Sequence, residues 1–172
     1  SAEERAAFLE EVASQIDARG AEITAMGMKE TGLPEVRLEG ERGRTVTQLR
    51  MFADLIKSGA HLDHRHDAAM PDRAPMPRPD LYLIQRPLGP VAVFGASNFP
   101  LAFSSAGGDT AAALAAGCPV IVKGHPAHPG IADFIAQAFD AAIKVTGVHP
   151  GVFSQVLDGG HVVGETLVKH PL

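Results

Sequence analysis

The stretch Gly89-Pro-Val-Ala-Val-Phe-Gly-Ala-Ser-Asn-Phe-Pro-Leu101, followed by Ala116-Gly-Cys-Pro-Val-Ile-Val-Lys123, decides the fold. Val91 to Phe94 form an apolar run that enters a loop of small residues, and that loop carries one side-chain amide, Asn98. The Ala-rich segment from Leu101 to Ala116 has helical composition, and Gly117 stands where a helix closes. Pro119 to Val122 is a short apolar strand of the kind buried on both faces, and it ends on Lys123. Strand, loop, helix, strand, with polar groups gathered at the strand ends, is how open parallel sheets build ligand sites.

Toward the C-terminus the pattern repeats. Ile131 to Val145 has helical periodicity closed by Gly147, Val152 to Leu157 reads as a third strand, and Val162 to Val168 as a further helix. Successive strands start about 30 residues apart, the length of βαβ units with right-handed crossovers.

Toward the N-terminus, Leu81 to Ile84 is a short apolar strand before the turn signal Pro87-Leu-Gly-Pro90. Residues 59–80, with His61, His64 and His66 and then Pro71, Pro75, Pro77 and Pro79, break every periodicity and read as an exposed connector. The histidines invite a zinc site, but no Cys or further His nearby completes four ligands, so no metal is expected.

Residues 1–58 read as helices. Ser1-x-x-Glu4 has the form of a capping box, and Phe8, Leu9, Val12 and Ile16 fall on one face up to Gly20. A second helix runs from Ala21 to Thr31 and stops at Gly32, and Pro34 opens a third. Leu38, Val46, Leu49, Phe52 and Ile56 form its buried stripe, while Glu35, Arg37, Glu39, Glu41, Arg42 and Arg44 read as a solvated charged face. The fold class expected is α/β, a parallel sheet within residues 81–172 preceded by the helical segment 1–58 and the connector 59–80.

At 172 residues, 45% apolar and 20% charged, the chain has the composition of one globular domain. Its net charge of −5, without a Lys/Arg stripe, argues against a nucleic-acid partner. No apolar run approaches the roughly 20 residues that span a bilayer, so no membrane partner is expected. The acidic start Ser-Ala-Glu-Glu-Arg lacks the pattern of a signal peptide, and a single cysteine permits no internal disulfide. A cytoplasmic protein is the simplest expectation. The chain begins without Met inside a helical pattern and stops at Lys169-His-Pro-Leu172 directly after another, which reads as a piece of a longer polypeptide.

Asn98 has two readings from its neighbours alone. It caps the following helix, or its amide points out of the loop as a donor to an oxyanion. Lys123 either reaches water from a strand end or, beside a turn containing Gly124 and Gly130, binds ribose hydroxyls or a phosphate. Gly107-Gly108, inside a helical stretch, reads as close packing, and no G-x-G-x-x-G follows the first strand. Cys118 begins a buried strand with no base assigned to it and reads as a small core residue.

Several of these stretches resemble the aldehyde dehydrogenase superfamily along nearly the whole chain. They include Thr31-Gly-Leu-Pro34, Gln48-Leu-Arg-x-Phe52, Arg78-Pro-Asp80, Pro87 to Phe103, Ala106-Gly-Gly-Asp-Thr110 and His125-Pro-Ala-His-Pro-Gly130. The resemblance is strongest to the branch of α-ketoglutaric semialdehyde (2,5-dioxopentanoate) and NADP-linked fatty aldehyde dehydrogenases. It implies a Rossmann-like sheet, residues 81–172 as part of a cofactor-binding domain, and a homo-oligomeric parent enzyme.

The resemblance also assigns roles. Asn98 would stabilise the oxyanion, Ala96, Ser97, Lys123, His125 and Gly164 would face the cofactor, and Phe99 and Phe103 would either line the substrate tunnel or serve as plain core residues. Many relatives carry Lys-Pro-Ser-Glu where this chain reads Lys123-Gly-His-Pro126, so Pro126 replaces a ribose-binding carboxylate and NADP or NAD is expected, with NADP tolerated. Family chemistry runs through a thiohemiacetal and a thioester on a cysteine further along the family's sequence, with a glutamate as base. Neither motif lies in these residues, so the chain alone is expected to be inactive. The alternative expectation is a catalytically silent nucleotide-binding or interaction module on the same scaffold.

Overall fold

Ser1 opens helix α1 (Ala2–Ala18) with the expected capping box: its hydroxyl accepts from Glu4 N at 3.1 Å while the Glu4 carboxylate reaches back to the chain's amino group. The computed structural model describes residues 1–158 and 160–171. Helix α1 ends on Arg19, and Gly20 begins α2 (Gly20–Thr31) rather than ending α1. Glycine fits there because the Arg42 guanidinium lies against its α-carbon where a side chain would stand. Gly32, in the left-handed conformation at φ 68°, closes α2, and Pro34 precedes α3 (Glu35–Lys57).

Residues 59–80 are less irregular than their composition suggests. Strand β1 (Arg65–Asp67) pairs antiparallel with β2 (Leu81–Leu83), in the register His66 opposite Tyr82, and a further bridge joins Met70 to Arg78. The segment Leu81–Ile84 therefore pairs backward, across residue 80, and not with the strand that follows. Arg-His-Asp has no apolar alternation, and both strands are exposed throughout, so the period-two signal on which strand reading depends is missing. The His66 ring stacks on Tyr82 with centroids 4.1 Å apart, and its Nε2 lies 2.9 Å from Asp80.

The second sheet is parallel. Strands β3 (Val91–Phe94), β4 (Val120–Lys123) and β5 (Phe153–Val156) lie in that order, with Phe94 opposite Lys123 and Lys123 opposite Val156. Helix α4 (Gly108–Ala116) connects β3 to β4, α5 (Pro129–Thr146) connects β4 to β5, and α6 (Val162–Lys169) follows. Helices α1 to α3 pack against α4 and α5, which in turn cover one face of the sheet.

One continuous core runs through these layers. The Phe139 ring of α5 stacks on Phe153 of β5 with centroids 3.7 Å apart and meets Phe8 of α1 at 6.1 Å. The helical N-terminal segment and the sheet thus share one apolar cluster. Strand β4 is buried only alternately: Val120 and Val122 are inaccessible, while Ile121 and Lys123 are half-buried on the other face. That second face also exposes Phe94 and Val156. Among the described residues no helix is long and apolar enough to cross a membrane.

Helix α4 starts at Gly108 and not near Leu101, as composition suggests. Residues 101–107 are turns, because the backbone N–H groups of Leu101 and Ala102 are held by a side chain from α3. Gly107 opens α4 from an extended conformation. Its missing side chain lets the Ala102 carbonyl approach: an added Cβ would stand 2.5 Å from that oxygen.

Candidate functional site

The loop from Gly95 to Gly107 is clamped at both sides. Ala96 N donates to Phe103 O at 2.9 Å, closing the loop on itself. Glu41 on α3 accepts from Leu101 N at 2.8 Å and from Ala102 N at 2.9 Å through one oxygen, and its other oxygen lies 3.5 Å from Arg37 Nε. On the far side the ring of His128, fully buried at the start of α5, lies 2.8 Å from Ala96 O through Nε2. Between these anchors Ser97 and Asn98 are exposed, and no hydrogen bond among the described residues engages the Asn98 side chain. The helix-cap reading of Asn98 fails, because the helix starts at Gly108.

Phe99 and Phe103 meet edge to face with centroids 5.0 Å apart. Arg37 sits over the Phe99 ring at 4.6 Å and Arg44 over Phe103 at 4.8 Å. The α3 face expected to be solvated is therefore turned, in part, onto this loop. Glu41 on it is 5% exposed. Sequence reading missed it because a Glu between Arg37 and Arg44 on a charged helix has the composition of a solvated face. Its burial follows only once the loop is laid across the helix.

The second element is a cleft of about 440 Å³ at the carboxyl ends of β3 and β4, against α6. Phe94, Gly95, Lys123, His125, Gly164 and Glu165 are among the residues lining it. Lys123, His125 and Gly164 come together as the sequence suggested. Gly164 lies against Phe94, where an added Cβ would meet the ring at 3.4 Å. Ala96 and Ser97 belong to the adjoining loop and not to this lining, and both backbone polar groups of Ala96 are already engaged. Pro126 faces a neighbouring recess with Gly124, Leu157 and Asp158. Gly159, part of the glycine pair singled out in the sequence, lies outside the described residues.

Lys123 Nζ donates to the Asp158 carbonyl at 3.3 Å, tying β4 to the turn that starts α6. The Asp158 carboxylate accepts from Gly160 N and Val163 N, and these backbone bonds hold its carboxyl below the usual range, helped by Lys123 and His161. Gly130 is not a free anion donor at the mouth of α5. Its N–H is taken by Glu30 Oε1 at 2.6 Å, and Ile131 N by Glu30 Oε2 at 2.9 Å. Burial lowers the His125 pKa from its ordinary value of 6.5, and the neighbouring His128 and Lys123 push in the same direction. His125 Nδ1 accepts from Ala127 N at 3.1 Å, which fits a neutral ring. Cys118 is buried. No group of three His, Cys, Asp or Glu side chains able to hold a metal occurs among the described residues.

The sequence model of the Aldehyde dehydrogenase family matches residues 1–172. The chain belongs to that family. Over 167 residues it is 56% identical to an alpha-ketoglutaric semialdehyde dehydrogenase 2 of Azospirillum brasilense, covering 97% of this chain and 32% of that protein. Over 170 residues it is 51% identical to an alpha-ketoglutaric semialdehyde dehydrogenase of Acinetobacter baylyi, covering 99% and 32%. A glyceraldehyde-3-phosphate dehydrogenase from Methanocaldococcus jannaschii, solved with NADP, shares the fold with a TM-score of 0.79 at 22% identity, over 99% of this chain and 35% of that one. The chain thus spans about a third of the length of the curated relatives it matches.

This geometry makes two stability predictions. Glu41→Ala strands two buried N–H groups and is expected to destabilise by about 1–3 kcal/mol for each, whereas Glu41→Gln keeps an acceptor and costs clearly less. Urea unfolding checks this, and equal losses in the two variants would contradict it. For His125 the sign follows from its lowered folded pKa: the unfolded ring takes up a proton first as pH falls. Stability should decline from about pH 6.5 downward until the folded ring also titrates, and His125→Gln should remove that part of the slope. Parallel slopes for both proteins in urea unfolding across this range would refute it.

Proposed function

We propose that the chain is part of an NAD(P)-dependent aldehyde dehydrogenase that oxidises a semialdehyde, 2,5-dioxopentanoate to 2-oxoglutarate, with a fatty aldehyde as the alternative substrate. The observation that carries this reading is the pairing of an exposed amide, Asn98, on a doubly anchored loop with a cleft where Lys123 and Gly164 meet at the ends of parallel strands. High identity to two alpha-ketoglutaric semialdehyde dehydrogenases supports the choice of substrate.

The cleft fits the ribose side of a nicotinamide dinucleotide. Lys123 has ammonium donors beyond the one spent on Asp158 O, His125 has an Nε2 free of its bond to Ala127, and Gly164 removes the side chain that would stand beside Phe94. When bound, the nicotinamide accepts the hydride. Lys123 and His125 would hold the ribose, and Ser97 would lie beside it on the loop. Asn98 would donate a hydrogen bond to the oxygen of the attacked aldehyde from a loop whose backbone Glu41 and His128 anchor. Phe99 and Phe103 would line the path of the substrate.

The attacking thiolate and the base would come from outside these residues, since the single thiol, Cys118, is buried at the start of β4. The 172 residues alone are proposed to be inactive. We also propose that the whole enzyme is a homo-oligomer, a reading favoured by the exposed Leu81, Tyr82 and Leu83 of the β1–β2 ribbon.

Kinetics of the full-length enzyme test both halves of the proposal. Asn98→Ala is expected to lower kcat by about 100- to 1000-fold. An undiminished turnover would remove Asn98 from the mechanism. With Pro126 in place of a ribose-binding carboxylate, NADP should serve at least as well as NAD, and a strong preference for NAD would overturn that expectation.

A further inference from the structure

We propose that Arg44 selects substrates that carry a carboxylate at the end remote from the aldehyde. The inference rests on the dehydrogenase reading above and names the residue that would set its substrate class. Arg37, Glu41 and Arg44 stand at i, i+4 and i+7 on α3, one face of the helix, and in that order they meet Phe99, the Leu101–Ala102 backbone and Phe103.

The two arginines are not equivalent. Arg37 is compensated by Glu41, 3.5 Å away. Arg44 lies over the Phe103 ring at 4.8 Å, and among the described residues it forms no ion pair or hydrogen bond. A guanidinium laid on an aromatic face keeps its edge donors directed outward, and that planar fork matches a carboxylate bidentately.

Gly40 lies on the same helical face between the two arginines, and an added Cβ there would meet nothing within 4 Å. Glycine there leaves the face beside the arginines open, which is room for a ligand. The Phe99–Phe103 pair would flank the apolar middle of a short semialdehyde, with Asn98 at the reacting end and Arg44 at the acid end. A neutral fatty aldehyde offers nothing to that charge.

The test uses the full-length enzyme as wild type, Arg44→Met and Arg44→Lys, with 2,5-dioxopentanoate and pentanal as substrates. In Arg44→Met the ratio of kcat/KM for dioxopentanoate to that for pentanal is expected to fall roughly 10- to 100-fold, with Arg44→Lys retaining part of the preference. An unchanged ratio in both variants, while wild type oxidises dioxopentanoate, overturns the role of Arg44 alone. A wild type inert toward both aldehydes with either nicotinamide dinucleotide overturns the dehydrogenase reading and this inference with it.

Discussion

One buried carboxylate organises the loop on which the site depends. Glu41 offers a single oxygen to two consecutive backbone N–H groups, Leu101 and Ala102, which fixes the backbone there in turns and delays the helix to Gly108. Taking a carboxylate out of water is costly unless its oxygens are satisfied. The two N–H donors satisfy Oε1, while Oε2 has the Arg37 guanidinium at 3.5 Å and no hydrogen bond among the described residues. The loop is pulled toward α3 at one end and toward α5, through His128, at the other. What projects between the anchors is Ser97 and Asn98. The backbone that carries them is held at both ends, while the Asn98 side chain is exposed and engaged by no hydrogen bond among the described residues.

The sheet sets the second element by its register. Phe94, Lys123 and Val156 end three parallel strands side by side, so side chains from separate segments reach one cleft without any long loop. The Lys123 bond to the Asp158 carbonyl and the Asp158 bonds to Gly160 and Val163 then fix where α6 begins. This brings Gly164 against Phe94. Position in the cleft is therefore a consequence of strand pairing and of one acidic turn.

Elements with a strong apolar period were legible in the sequence: α1, α3 and α5, and the parallel strands with their order of polar end residues. Lys123, His125 and Gly164 are grouped by the family resemblance, and the structure brings them to one cleft. Three features were hidden, each for a physical reason. The β1–β2 ribbon is exposed on both faces and carries no alternation. The residues before α4 have helical composition, but Leu101 and Ala102 give their amides to Glu41 while Phe103, Ser104 and Gly107 close turns. The Glu41–Arg37–Arg44 face looks solvated because its partner lies some sixty residues away, and no local pattern reports a contact of that range.

The charges around the cleft bear on which dinucleotide it suits. Burial, with His128 and Lys123 acting in the same direction, lowers the His125 pKa, and its Nδ1 accepts from Ala127 N, which fits a ring that offers a hydrogen-bond donor and no formal charge. Lys123 supplies charge, part of which the nearby Asp158 carboxylate offsets. Glu165 lines the same cleft, but Lys169, 3.0 Å away, offsets it. Pro126 adds none. Under the cofactor reading proposed above, an adenosine ribose would meet Lys123, with the Asp158 carboxylate near it, and the paired Glu165 and Lys169. The tolerance of a 2′-phosphate proposed above would then turn on Pro126, which faces the neighbouring recess, and on the pairing of Glu165 with Lys169.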